Sequence, residues 1–243
     1  MREETEYRPK PMVEIGGRPI LWHIMKLYAH YGFSEFVVCL GYKGDVIRDY
    51  FLNYEIRNRD FTVTLGAREL QTHNCHSEDG WRVTLAETGD ATMTGGRIKR
   101  IAPYLDGGAF MVTYGDGLAD VDVRRLLAFH RGSGKLATVT AVRPSSRYGE
   151  LAIEDGLVRM FQEKPQVHEG WINGGFFVFE PDVIELIKGE GDTLEAGLLT
   201  TLVEMRQLAV YQHRGFWQCM DTYREMQLLN ELWRTRQAPW RLW

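Results

Sequence analysis

Cysteine is scarce in this chain. Cys39, Cys75 and Cys219 are the only three in 243 residues. An odd and scattered set excludes a disulfide framework and fits a reducing compartment, so a cytoplasmic location is expected. Long apolar runs are also lacking: none approaches the ~20 residues of a membrane span. The opening Met1-Arg2-Glu3-Glu4-Thr5-Glu6 is too acidic for a signal peptide. Positive charge is not in excess, with 29 Lys and Arg against 33 Asp and Glu and a net charge of −4. Without a basic footprint, nucleic acid is not an expected partner, and anionic small molecules must be met by local Lys and Arg. The 44% hydrophobic and 26% charged residues are ordinary for a globular chain long enough to bury a sizeable core.

The pattern alternates strand and helix. Pro19 opens a helix with Ile20, Ile24, Leu27, Tyr28 and Tyr31 on one face, ended by Gly32. A strand over 35–40, a helix carrying Val46 to Tyr54 and strands near 61–65 and 81–86 follow, with 66–80 read as polar and irregular. A helix near 96–105, a strand over 109–114, a helix over 122–130 and a strand over 136–142 continue the alternation, which predicts parallel strands with crossover helices. Beyond 142 the turn Glu154-Asp155-Gly156 predicts a hairpin, and a strand over 171–179 is interrupted by Gly174-Gly175. Two helices, two short strands and a closing helix over 222–233 complete the chain. The expected architecture is α/β, one mostly parallel sheet with an added antiparallel lobe.

Two acidic turns stand out, Tyr114-Gly115-Asp116-Gly117 and Cys219-Met220-Asp221-Thr222, each after an extended apolar stretch. A strand ending this way points its acid into the crevice at the carboxyl edge of an α/β sheet, and two such acids suggest a metal site. The competing reading for Asp116 is a turn aspartate bonded to its own backbone. Pro9-Lys10-Pro11-Met12 fixes a lysine in an extended, stiff segment suited to phosphate, although a solvated lysine has the same local pattern. Phe161-Gln162-Glu163-Lys164-Pro165 ends a strand with adjacent charges that point to opposite faces. Ile172-Asn173-Gly174-Gly175-Phe176 offers a small amide with two glycines, for close approach to a ligand or for a bulge. Thr94-Gly95-Gly96-Arg97 precedes a helix, where N–H groups and an Arg could meet an anion or a base edge; a plain helix start reads the same way. His73-Asn74-Cys75-His76 has zinc-ligand residue types but no second ligand pair, and a polar loop explains it more simply. The seven Trp residues read as core or interface packing.

These motifs together resemble the glucose-1-phosphate cytidylyltransferases of the sugar-phosphate nucleotidylyltransferase superfamily. The resemblance runs from Arg2 to Trp243 and includes Pro9 to Gly17, Ile20 to Lys26, Thr92 to Arg97, Tyr114 to Gly117, Phe161 to Pro165, Ile172 to Phe177, Phe216 to Thr222 and Ala238 to Trp240. It implies a Rossmann-like nucleotidyltransferase fold, Mg²⁺, and transfer of CMP from CTP to glucose 1-phosphate. By the same resemblance Asp116 and Asp221 are the metal ligands, Lys10 meets the triphosphate, and Lys164 holds the sugar phosphate. Glu163 and Asn173 contact sugar hydroxyls, Gly149 and Gly174 bind substrate, and Thr94, Gly95, Gly96 and Arg97 lie near the nucleotide. A single nucleotidyltransferase domain is expected, with a nucleotide-binding half to about residue 142 and a sugar-phosphate half after it. A homo-oligomer is implied as well. A uridylyl- or thymidylyltransferase is the neighbouring alternative.

The chain departs from the family at its start. The resemblance implies an apolar strand and a glycine-rich turn ending in Thr-Arg ahead of Met1, and their absence predicts a sheet without its central strand, poor stability and little activity. An inactive truncated homologue is the reading that follows if no such segment exists. Smaller departures are Cys219, where the family has proline, and Ala196-Gly197-Leu198, where Glu-Pro-Leu is commoner.

Overall fold

A computed structural model describes residues 5–67, 69–74, 76–144, 150–154, 157–162 and 170–243. In chain order the elements begin with a 3-10 turn, Lys10–Met12, and the short strands β1 (Glu14–Ile15) and β2 (Arg18–Pro19). Then come α1 (Ile20–His30), β3 (Glu35–Leu40), α2 (Gly44–Leu52), α3 (Tyr54–Asn58), β4 (Asp60–Thr64), β5 (Glu69–His73), β6 (Arg82–Glu87) and α4 (Thr94–Arg100). The middle of the chain supplies β7 (Phe110–Thr113), β8 (Gly117–Ala119), α5 (Val123–Ser133), β9 (Ala137–Val142), β10 (Glu150–Glu154), β11 (Leu157–Gln162) and β12 (Ile172–Phe179). It closes with α6 (Val183–Leu186), a π-helix (Leu194–Leu199), α7 (Thr200–Glu204), β13 (Leu208–Gln212), β14 (Trp217–Cys219) and α8 (Tyr223–Arg234).

Strand pairing gives a mixed α/β architecture. β3 and β6 run parallel, joined by a crossover that carries α2 and α3. A four-stranded sheet has the order β13-β9-β12-β7, with β13 parallel to β9 and β12 antiparallel to both its neighbours. Among the described residues β3 pairs only with β6, and β7 only with β12. Segment 66–80 differs from expectation. Residues 69–73 form a strand antiparallel to β4, and every residue of β4 is exposed, so the sequence gives no burial-driven alternation to announce the pair. Lys10–Met12 also differs: the Met12 amide bonds to Pro9 O at 2.8 Å and closes a 3-10 turn where an extended segment was expected.

The largest core cluster lies where α1 meets β8, α8 and the chain end. Ile20, Ile24, Leu27, Leu118, Leu126, Met220, Leu229 and Trp240 are buried there. A second cluster packs Phe177, Phe179 and Phe110 beneath the π-helix residues Leu194 and Leu198. Trp22, Trp233, Trp240 and Trp243 surround His23, which is fully buried. The His23 ring donates from Nε2 to Ile15 O at 2.8 Å and accepts from Trp240 Nε1 at 3.4 Å, an arrangement that requires the neutral Nε2–H tautomer. Burial drives its pKa down to about 4.

That depression sets a pH dependence of stability. In the unfolded chain this histidine titrates near ~6.5. The unfolded state therefore binds the proton first, and stability present above ~6.5 is lost as pH falls toward the folded value. Between pH 7 and pH 5 the loss from His23 is about 2 kcal/mol. Urea denaturation of the wild type and of His23→Asn at the two pH values measures this term as the difference between their pH dependences. Equal pH dependence in both proteins would refute it.

Candidate active site

The two acidic turns meet because β8 and β14 pair. Gly117 lies opposite Cys219 in that antiparallel ladder, and the Met220 amide extends it by donating to Asp116 O at 2.8 Å. Asp116 stands one residue beyond the last ladder pair and Asp221 two residues beyond it, and the two carboxylates converge on one point. Asp221 is followed by the N-cap of α8, where Thr222 and Glu225 form a reciprocal capping box. The Glu225 carboxylate also accepts from the Asp221 amide at 2.8 Å, which holds the turn.

Lys10 arrives from the other end of the chain. Pro11 packs on Gly115, where a Cβ would lie 2.8 Å from Pro11 Cγ, so only glycine admits the proline ring. The adjacent Lys10 ammonium then contacts both acids, Asp116 Oδ2 at 2.7 Å and Asp221 Oδ1 in a closer ion pair. Burial by itself lowers the affinity of this amine for its proton. The hydrogen bonds and negative charges of Asp116 and Asp221 outweigh it, and the Lys10 pKa stands above its ordinary value. All three side chains stay between 29% and 51% exposed, open enough for a ligand to reach them. Cys219, two residues before Asp221, is driven up to about 12 by burial and by the neighbouring carboxylates, so its thiol stays protonated.

Beside the acids runs the bulged part of β12. Its register against β9 shifts between Asn173 and Phe177. At Gly174 a Cβ would sit 2.6 Å from Val142 Cγ1, so the close approach is to β9. Gly174 O accepts from Trp217 Nε1 at 2.8 Å, which ties the bulge to β14. Gly175, at φ +77°, donates its amide to Asn173 Oδ1 at 2.8 Å. Asn173 itself is exposed beside the Tyr114 hydroxyl, 3.5 Å from Nδ2.

Thr94, Gly95, Gly96 and Arg97 form the start of α4, and their polar groups bind protein. The amides of Gly95 and Gly96 both donate to Asp192 O, at 2.9 and 3.1 Å. A Cβ at Gly96 would lie 2.7 Å from Glu190 O, so this glycine lets α4 close on the 190–193 segment. Arg97 spans to the end of β3, donating to Leu40 O at 2.9 Å and to Thr88 Oγ1 at 2.6 Å. The element thus joins β3 to the approach of the π-helix.

Gly149, Glu163 and Lys164 lie outside the described residues, as does Cys75; β11 ends at Gln162, next to the first of the charged pair. His73 in β5 meets Thr62, whereas His76 sits among Glu55, Glu78 and Asp79, so the two histidines do not converge. Sequence reading missed Glu195, whose carboxylate takes the Tyr114 hydroxyl and Thr94 Oγ1. A glutamate in a helix carries no local signal of such a role.

The chain matches the family model described as nucleotidyl transferase over residues 4–224. It is 49% identical over 244 aligned positions to glucose-1-phosphate cytidylyltransferase of Salmonella typhi, covering 100% of this chain and 95% of the relative. It is 42% identical, with the same coverage, to the probable glucose-1-phosphate cytidylyltransferase of Bacillus subtilis. Among solved structures, a putative glucose-1-phosphate thymidylyltransferase from Bacillus anthracis superposes with a TM-score of 0.67 at 16% identity, covering 96% of this chain and 90% of that one. That likeness establishes the Rossmann-like α/β fold. The chain belongs to the nucleotidyl transferase family and groups there with the glucose-1-phosphate cytidylyltransferases.

Proposed function

We propose that this protein transfers CMP from CTP to α-D-glucose 1-phosphate, yielding CDP-glucose and pyrophosphate. One observation carries the reading: Lys10, Asp116 and Asp221 converge at one point in a chain 49% identical throughout to a cytidylyltransferase of that specificity. We place the reaction in the cytoplasm on the few, scattered cysteines and assign it to a homo-oligomer on the strength of the family resemblance. No described helix is long and apolar enough to cross a membrane.

The chemistry asks for positioning and charge stabilisation. An oxygen of the sugar phosphate attacks the α-phosphorus of CTP, the new P–O bond forms as the bond to the β-phosphate oxygen breaks, and the electron pair leaves with pyrophosphate. The nucleophile is already an anion, so no general base is needed. Lys10 meets the triphosphate and Lys164 the sugar phosphate. Gly149, Glu163, Asn173 and Gly174 form the sugar side, and Thr94 to Arg97 brace the nucleotide side. The nucleotide-binding half extends to about residue 142 and the sugar-phosphate half follows.

Two carboxylates that already bracket one cation suit a divalent metal, and their oxygen donors suit Mg²⁺ in particular. Asp116 and Asp221 would hold it, and when bound it supplies charge neutralisation to the phosphates. With the carboxylates so engaged, the Lys10 ammonium that now pairs with them would be available to the phosphates.

The direct test mixes glucose 1-phosphate with CTP, UTP, dTTP, GTP or ATP and follows pyrophosphate and the nucleotide sugar. We expect kcat/KM for CTP at least ~10²-fold above the others, the discrimination of a site that hydrogen-bonds one base edge. Preference for another nucleotide would move the protein to a neighbouring specificity. Asp116→Asn and Asp221→Asn should each lower turnover by at least ~10²-fold, as loss of one electrostatic contact to the transition state does. Near-normal turnover in either variant removes that residue from the site. Lys10→Met leaves two carboxylates facing each other. Its melting temperature without metal should drop by about 2–4 °C, the shift that about 1 kcal/mol makes in a chain this long, and Mg²⁺ should raise it more than it raises the wild type. A wild-type melt and metal response would show that Lys10 does not neutralise the pair.

A further inference from the structure

Glu195 has no part in the chemistry above, yet it stands where both sides of the site meet. It lies in the π-helix, a rare form concentrated at functional sites. One carboxylate oxygen takes the Tyr114 hydroxyl and the other takes Thr94 Oγ1 at 3.3 Å. Thr94 Oγ1 itself accepts from the Leu194 amide at 2.7 Å, so its single proton is directed to Glu195. Two hydroxyl donors thus converge on one anion, which a carboxylate satisfies with both oxygens and a carboxamide with only one. Tyr114 directly follows β7, two residues before Asp116. Its ring packs on the β12 bulge, where a Cβ at Gly175 would come within 2.8 Å of Cδ2, and stands edge-on to Phe177 at 5.6 Å. Its hydroxyl donates to Glu195 and accepts from Asn173. The Asn173 amide is held between that hydroxyl, 3.5 Å from Nδ2, and the Gly175 amide on Oδ1.

We propose that Glu195 is a positioning residue for the sugar phosphate: it anchors the Tyr114 hydroxyl, which fixes Asn173 on the sugar side, while its second oxygen ties that wall to Thr94 on the nucleotide side. This rests on the reading that the site joins a nucleotide to a sugar 1-phosphate. A hydrogen bond to a charged group is strong enough that losing it shifts an equilibrium by about tenfold or more.

Steady-state kinetics with each substrate varied, on Glu195→Ala, Glu195→Gln, Tyr114→Phe and the double variant Tyr114→Phe/Glu195→Ala, tests the assignment. Glu195→Ala and Tyr114→Phe should each raise KM for glucose 1-phosphate about tenfold and leave KM for CTP within about twofold. The double variant should be no worse than Glu195→Ala by more than about twofold, because the Tyr114–Glu195 bond that Tyr114→Phe deletes is already lost in Glu195→Ala. Glu195→Gln should recover part of the sugar affinity, since it keeps one acceptor. A merely structural role predicts something else: kcat and both KM values worsening together with a lowered melting temperature, multiplicative effects in the double variant, and no recovery with Gln. Any of these overturns the proposal, as does an unchanged sugar KM in Tyr114→Phe. A wild-type enzyme that forms no nucleotide sugar from any nucleotide would instead overturn the underlying reading, so the two failures are told apart by the wild-type control.

Discussion

Three residue pairs of an antiparallel ladder, Trp217 with Ala119 through Cys219 with Gly117, decide where the charged groups meet. Side chains on a strand alternate faces, so a slip of one residue would turn Asp116 and Asp221 away from each other. Burial makes the register definite: all three residues of β8 are buried, and Leu118 and Ala119 belong to the main core with Met220. The hydrophobic effect thereby fixes a polar site it does not touch. The Lys10 segment depends on the same ladder, because Pro11 seats on Gly115 only while the turn before β8 keeps its course.

Bringing two carboxylates together raises the energy of both unless a cation lies between them. Lys10 supplies that charge, and its raised pKa reports how strongly the pair holds the proton. The Cys219 thiol is kept out of the contest, since it stays neutral beside the acids. An arrangement that already stabilises one cation between two acids is prepared for another of the same sign, which is why the donor set and a divalent ion suit each other.

Much of this was legible in the sequence because the signals are local. Pro19 and Gly32 bracket α1, and β3 falls over the expected residues because a run of apolar and β-branched side chains marks it. Bordering glycines marked Asp116 as a candidate, flanking prolines marked Lys10, and a preceding extended stretch marked Asp221; the resemblance assigned the three to one site, and in the fold they meet. Strand direction was not legible: β12 runs antiparallel between β7 and β9, and no local pattern encodes that choice. The exposed pair β4 and β5 was half seen, since burial supplies the periodicity that reading depends on. Glu195 was invisible because its role comes from Thr94 and Tyr114, both distant in sequence.

Glycine is where reading by motif and reading by structure part most instructively. Gly95, Gly96 and Gly174 look like places for a ligand to approach the backbone. In the folded chain each is a place where another part of the protein does so, the 190–193 segment or β9, and Gly115 in the acidic turn admits Pro11 in the same way. These crossings bring the Lys10 turn, the end of β7, the β12 bulge and the start of α4 within reach of one another. A crevice formed by such crossings has walls set by backbone packing, which tolerates little displacement. If the two phosphates meet at these walls, as the proposed reaction has it, the charged groups start out close together, and positioning, the larger part of that chemistry, is built into the fold before any substrate binds.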